Sequence, residues 1–226
     1  MPRTAATHFF ALLAMTCVLP LLLCASLPAT ASASLSVQVH KKDGKPLVGA
    51  ILMLEAESPR LSPAPPTRVV VDQVDLAFVP DVIVIPVGST IAFPNTDAVS
   101  HQVYSFSSPR RFQLPLYRGK PYPPVTFDQP GIVTLGCNIH DNMLAYIVVT
   151  DAPFFGRTDA RGEWVATNLP NGTYRVRVWH PLLNESGVSL EHVVQIDGAE
   201  HAEVSMQLTH TLRPAPITSR PHSWDY

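Results

Sequence analysis

Cysteine is nearly missing from this chain: there are three in 226 residues, and two of them, Cys17 and Cys24, fall within the first 33. A disulfide-stapled fold is thereby excluded. Charge is sparse as well, with Asp, Glu, Lys and Arg making up 15% of residues. No basic tract gathers the cations, which gives nucleic acid or a polybasic membrane contact no footing. No segment keeps a long 3.6-residue apolar period, so helices are not expected. Beyond residue 33 there is no apolar run of transmembrane length. What the chain does have is proline, 23 residues of it, scattered between short alternating or wholly apolar runs. That is the composition of an all-β chain built from short strands and turns.

Residues 1–33 read as a signal peptide: Arg3 supplies the cationic start, Phe9 to Leu27 the apolar run, and Ala31-Ser32-Ala33 the small-residue cleavage pattern. Pro20 and Pro28 interrupt the run, which favours export with cleavage over an uncleaved anchor. Thr16 and Leu23 make poor neighbours for lipid attachment at Cys17 or Cys24. The mature chain is therefore expected in the periplasm, with no transmembrane span. Loss of Arg3 takes the net charge from −2 to −3. It also leaves Cys137 as the single cysteine in an oxidising compartment, where a lone thiol needs a chemical reason. A buried small hydrophobe is the bland alternative, and it sits poorly beside the residues that follow.

Cys137-Asn138-Ile139-His140-Asp141-Asn142-Met143 offers a thiolate, an imidazole and a thioether in one loop, and His101 adds a second imidazole from upstream. Two His and one Cys with a weak axial Met suit copper. A structural zinc site would use the thiolate and the imidazoles but gain little from Met143. Asp97 and Asp141 fit turn or ligand-supporting hydrogen bonds better than acid catalysis. His180, after Trp179 at a strand end, reads as packed or edge; His40, His192, His201, His210 and His222 read as solvated, and Met53 and Met206 as core fillers. No second metal cluster or nucleophile–base pair stands out, so the chain reads as a carrier and not as an enzyme.

The strands follow from alternation and turn residues. Residues 34–40 and 46–56, joined through Asp43-Gly44, read as a hairpin. Residues 57–68, with four prolines, read as a linker. Strands are expected at 69–74, 78–86, from 90 through His101 into 106, and at 125–128, 131–135 and 144–150. Residues 107–124 read as a long loop over one end of a barrel. Further strands are expected at 163–167, 173–180, 190–196 and 202–208, followed by a flexible tail at 211–226.

Three stretches together resemble the cupredoxins, the plastocyanin and amicyanin class of blue-copper proteins: Phe78-x-Pro80 through Gly88, Phe93-x-Asn95-x-Asp97-x-x-x-His101-x-Val103, and Pro130-Gly131 through Cys137-x-x-His140-x-x-Met143. The resemblance covers about residues 69–150, and the gap between His140 and Met143 is similar to amicyanin. It implies a Greek-key β-barrel or sandwich with one type 1 copper on His101, Cys137, His140 and Met143, supported by hydrogen bonds from Asn95, Gln102 and Asn138. It also implies that electrons pass through His140 to a redox protein partner, across an apolar patch formed by Ile139, Leu144 and residues 107–124. Two positions depart from the family: Gly136 stands where an aromatic is common, and Gln102 where an Asn often ties the ligand loops. The whole pattern is similar to exported proteins labelled as methylamine-utilisation proteins. This implies a one-electron carrier linked to a periplasmic amine- or methylamine-oxidising system, with a periplasmic copper carrier or sensor as the alternative.

The flanks resemble a second family. Asp43-Gly44-Lys45-Pro46-Leu47-x-Gly49-Ala50 and Thr158-Asp159-x-x-Gly162 through Leu169-Pro170-x-Gly172-x-Tyr174 are similar to the beginning and end of one carboxypeptidase regulatory-like, transthyretin/Ig-like β-sandwich. The expectation is a nested chain, with a sandwich of residues 34–56 and 151–210 and the cupredoxin segment, residues 69–150, carried in one of its loops. A simple tandem is the alternative.

Overall fold

The structure is a computed structural model that describes residues 33–119, 121–183, 190–198 and 200–215. Residues 1–32 of the expected signal peptide, His222 and residues 216–226 of the expected tail lie outside the described residues. Among the described residues the regular structure is entirely β. In chain order the strands are β1 (Ala33–His40), β2 (Ile51–Ser58), β3 (Arg68–Val70), β4 (Asp72–Val74), β5 (Ala77–Val79), β6 (Val82–Pro86), β7 (Ser89–Ala92), β8 (Tyr104–Ser105), β9 (Phe112–Gln113), β10 (Val125–Phe127), β11 (Gly131–Gly136), β12 (Leu144–Thr150), β13 (Phe154–Arg157), β14 (Glu163–Leu169), β15 (Gly172–Trp179), β16 (Leu190–Ile196) and β17 (His201–Gln207).

Alternation makes β1 a half-buried strand: Leu35, Val37 and Val39 are wholly buried while Gln38 is exposed. The hairpin expected with β2 does not form. β1 lies between β14, antiparallel, and β17, parallel, whereas β2 lies between β13 and β15 in another sheet, with β16 outside β15. The reason is that both strands have apolar faces to bury, and these faces meet across the core. Leu35 and Val37 share one cluster with Leu52, Leu54, Tyr174 and Val204. Residues 46–50, expected as the start of the second strand, connect the two sheets. Leu47 N–H donates to Val39 O at 2.8 Å. The buried Thr158 hydroxyl accepts from Ala50 N–H at 2.9 Å and donates to Leu47 O at 2.6 Å.

Between β2 and β13 the chain builds three further sheets, ordered β10-β7-β3, β6-β12-β11-β8-β9 and β4-β5. They enclose a different core, with Phe78, Ile91, Phe93, Phe127, Leu135 and Ile147 among its buried residues. A small third cluster of Ile51, Val82 and Val148 joins the two cores, with the Tyr146 and Trp179 rings 5.5 Å apart beside it.

Two sequence expectations near the expected metal ligands are corrected here. The strand expected to run from 90 to His101 stops at Ala92, because Pro94 has no N–H to give a ladder and Asn95 accepts from Asp97 N–H at 3.0 Å to make a turn. Residues 107–124 are not a bare loop either. They carry β9 and two further bridges, His101↔Tyr117 and Asn95↔Gly119.

His180 shows what burial does to a titratable group in this fold. It is 2% exposed, its Nδ1 accepts from Leu182 N–H at 3.2 Å, and the ring donates to the Val48 backbone. Burial pushes its pKa from 6.5 down to about 4. The unfolded chain takes up a proton near 6.5 that the folded chain refuses. The stabilisation is therefore complete above about 6.5 and is lost as the pH falls toward 4. Urea unfolding at a series of pH values is expected to show up to about 3 kcal/mol lost over that window from this group. In His180→Gln, less stable overall, that part of the pH slope should vanish; an unchanged slope would refute the assignment.

Candidate metal centre

The loop 137–143 closes the antiparallel pair β11–β12, whose last register partners are Gly136 and Leu144. Cys137 and Met143 are buried at 4% and 2% exposure and belong to the same core cluster. The loop is drawn tight by Met143 N–H donating to His140 O at 3.0 Å. His101 is fully buried, while His140 keeps part of its surface.

His101, Cys137 and His140 come together. The two Nδ1 atoms are 3.1 Å apart, and Cys137 Sγ lies 3.9 Å from that of His101 and 3.8 Å from that of His140. A point in the plane of this triangle lies about 2.1 Å from all three atoms, inside the roughly 2.0–2.3 Å that nitrogen and sulfur make to a first-row ion. With the thioether of Met143 in the same loop, two imidazoles and one thiolate would suit copper better than structural zinc, which gains little from a thioether. Copper therefore fits the donors present.

The hold on His101 comes from places the sequence reading did not single out. His101 and Tyr117 exchange both backbone hydrogen bonds at 3.0 Å. Asn95, 1% exposed, donates its amide to Tyr117 O at 2.8 Å and to Val99 O at 3.0 Å. The Tyr117 hydroxyl donates to Phe93 O, and the buried Gln73 amide reaches both that hydroxyl at 2.6 Å and Pro94 O at 2.8 Å. Burial pushes the Tyr117 phenol up to about 12, so it stays a donor. On the far side of the ring, His101 Nε2 lies 2.9 Å from Asp97 Oδ2. The Asp97 carboxyl is held below its usual range, first by the Leu76 N–H and then by His101. Of the residues expected to support the ligands, Asn95 bonds to the backbone around His101. Asn138 is exposed, and among the described residues neither Asn138 nor Gln102 joins this network. Tyr117 and Gln73 sit in proline-rich or short apolar stretches without a motif, and their mutual contact could not be read from spacing.

Gly136 has a steric cause. A Cβ there would lie 2.8 Å from both Cζ and Oη of Tyr104, its partner on β8. The Tyr104 ring on the neighbouring strand thus occupies the space a side chain at 136 would need.

No protein-family profile matches the chain, and no curated protein is similar enough in sequence to match. Several solved structures are similar in fold. The novel purple cupredoxin from Nitrosopumilus maritimus is 20% identical over 36% of this chain and 99% of its own, with a TM-score of 0.33. A reduced amicyanin variant is 20% identical over 45% of this chain and 99% of its own, with a TM-score of 0.34. These neighbours are cupredoxins. The copper-containing nitrite reductase from Thermus scotoductus SA-01 is 30% identical over 43% of this chain, but only 25% of that enzyme is spanned, with a TM-score of 0.34. The likeness to cupredoxins is confined to less than half of the chain in each case, so chemistry here has to come from the chain's own donor atoms.

Those donors depend on Asn95. Asn95→Ala removes both amide bonds, to Tyr117 O and Val99 O, and takes from Asp97 N–H its acceptor, while Tyr117 O keeps only the His101 N–H. A loss of about 2–4 kcal/mol is expected in denaturant unfolding, together with weaker copper binding measured by competition with a chelator.

Proposed function

We propose that the chain is an exported type 1 copper protein that carries one electron at a time, with copper held by His101, Cys137, His140 and Met143. The observation that carries this reading is the convergence of two Nδ1 atoms and one Sγ on a single metal-sized point. When bound, copper supplies a one-electron couple between Cu(II) and Cu(I). The protein's part is rigidity: His101 is pinned through its backbone by Tyr117 and through its ring by Asp97, and Cys137 and Met143 flank one tight loop. Donors held in this way need little rearrangement when the charge at the centre changes.

His140 is the port through which the electron passes in this reading. It keeps partial exposure where His101 has none. Ile139 beside it is 51% exposed, and Leu116 and Val99, next to Tyr117 and within the His101 turn, are also exposed. Apolar side chains around a ligand edge suit brief docking of a redox protein, because they shed water without fixing long charged side chains. The sequence resemblance to methylamine-utilisation proteins connects that partner to periplasmic amine oxidation. Among the described residues no helix is long and apolar enough to cross a membrane.

The flanking strands support a nested chain. The chain leaves its sheet at Ser58 and rejoins it at Phe154, where β13 pairs directly with β2. Removal of residues 34–56 takes away one central strand from each sheet and is expected to unfold the C-terminal strands. A folded C-terminal fragment without them, tested by circular dichroism and proteolysis, would favour the tandem arrangement.

Copper titration of the metal-free protein is expected to give intense visible absorption at one equivalent, absent in Cys137→Ser, and rapid reversible bleaching by ascorbate in stopped flow. A colourless Cu(I) form that yields its metal readily to a chelator would instead identify a copper carrier or sensor.

A further inference from the structure

We propose that the tip of the β4–β5 hairpin is a working part of the metal centre. Through Asp97 it fixes which nitrogen of His101 faces the metal, and it places a negative charge behind that ligand which holds the reduction potential down. The inference rests on the copper reading above and goes on to assign a positioning residue to it.

The hairpin tip is unusual. Its two loop residues, Asp75 and Leu76, have φ of 49° and 62°. Two-residue turns with both φ positive are normally made by Asn-Gly or Gly-Gly, because a Cβ is crowded in the left-handed region. A leucine there is strained. The geometry gained is a backbone N–H aimed out of the hairpin: Leu76 N–H donates to Asp97 Oδ2 at 2.8 Å. The same oxygen lies 2.9 Å from His101 Nε2, and Oδ1 accepts from Ala98 N–H at 2.7 Å. A second clasp ties the hairpin to this turn, with Asp72 accepting from the Thr96 N–H at 3.2 Å and hydroxyl at 2.9 Å. The Asp97 side chain is left with 11% exposure and that of His101 with none.

A carboxylate can only accept, so in the neutral ring of His101 the proton sits on Nε2 and Nδ1 presents its lone pair. Nδ1 is the atom that faces Cys137 and His140. A carboxylate behind a ligand imidazole raises its basicity and orients the ring, and its charge stabilises the more positive state of the centre. A hydrogen bond alone could come from a neutral residue. The carboxylate is what adds the effect on potential. The couple concerned takes one electron from an external donor, with no proton transferred and no bond made or broken in the protein.

The test separates orientation from charge. In metal-free wild-type protein, nitrogen-15 NMR of His101 should show the Nε2–H tautomer. Asp97→Asn keeps an oxygen for Leu76 and His101 at the loss of the Ala98 bond. It should keep that tautomer while shifting the redox equilibrium of the copper form with a fixed mediator about tenfold toward reduced. Asp97→Ala should show the same direction of shift with the tautomer no longer fixed. A proton on Nδ1 of the wild type, or an unchanged equilibrium in a folded, copper-loaded Asp97→Asn, would overturn the inference. Failure of the wild type to bind copper or to cycle would overturn the electron-carrier reading instead, and the tautomer measurement would still stand by itself.

Discussion

The pair of backbone hydrogen bonds between His101 and Tyr117 is the constraint on which the centre depends. His101 does not stand on a strand, since β7 ends at Ala92, and a ligand on an unsupported turn would wander by more than the tolerance of a metal bond. Tyr117 gives that turn a partner. It does so only because it is itself fixed by Asn95 at its carbonyl and by Phe93 and Gln73 at its hydroxyl. Each of these groups is buried, so each bond also answers a desolvation cost that an unpaired atom would carry.

That economy is incomplete at one atom. Gln73 is wholly buried, and its Oε1 has no hydrogen-bond partner among the described residues, which costs about 1–3 kcal/mol. The same side chain spends its amide on Pro94 O and the Tyr117 hydroxyl, the two points that hold the turn on either side of Asn95. An apolar residue in its place would remove the orphan and release both. The orphaned oxygen is thus the counterpart of two bonds that hold the His101 turn.

The sequence makes the donors legible because metal chemistry is a matter of residue type. A thiol, two imidazoles and a thioether are rare enough that Cys137, His140 and His101 stand out, and the fold brings those three together. Alternation likewise marks Leu35, Val37 and Val39 as one face. It says which side of a strand is buried and nothing about which strand lies beside it, so β1 and β2 read as a hairpin and are found in separate sheets. Residues 107–124 are opaque for a related reason. Tyr117 acts through its main chain and through a hydroxyl buried against residues far away in sequence, and neither property leaves a pattern in a proline-rich stretch.

Gly136 extends the point from partners to roles. Taken alone, a glycine before Cys137 reads as a missing aromatic, a weakness in the family resemblance. In the fold the Tyr104 ring of β8 lies against this position, and a side chain at 136 would collide with it. Asp97 follows the same logic: its meaning as a turn residue is local, but its oxygen is completed by Leu76 from another hairpin before it meets His101. The ligands of this centre are contiguous in chemistry, whereas what holds and tunes them is gathered across strands. Leu76 and Tyr117 thus bear on the His101 turn from positions with no metal-binding signature of their own.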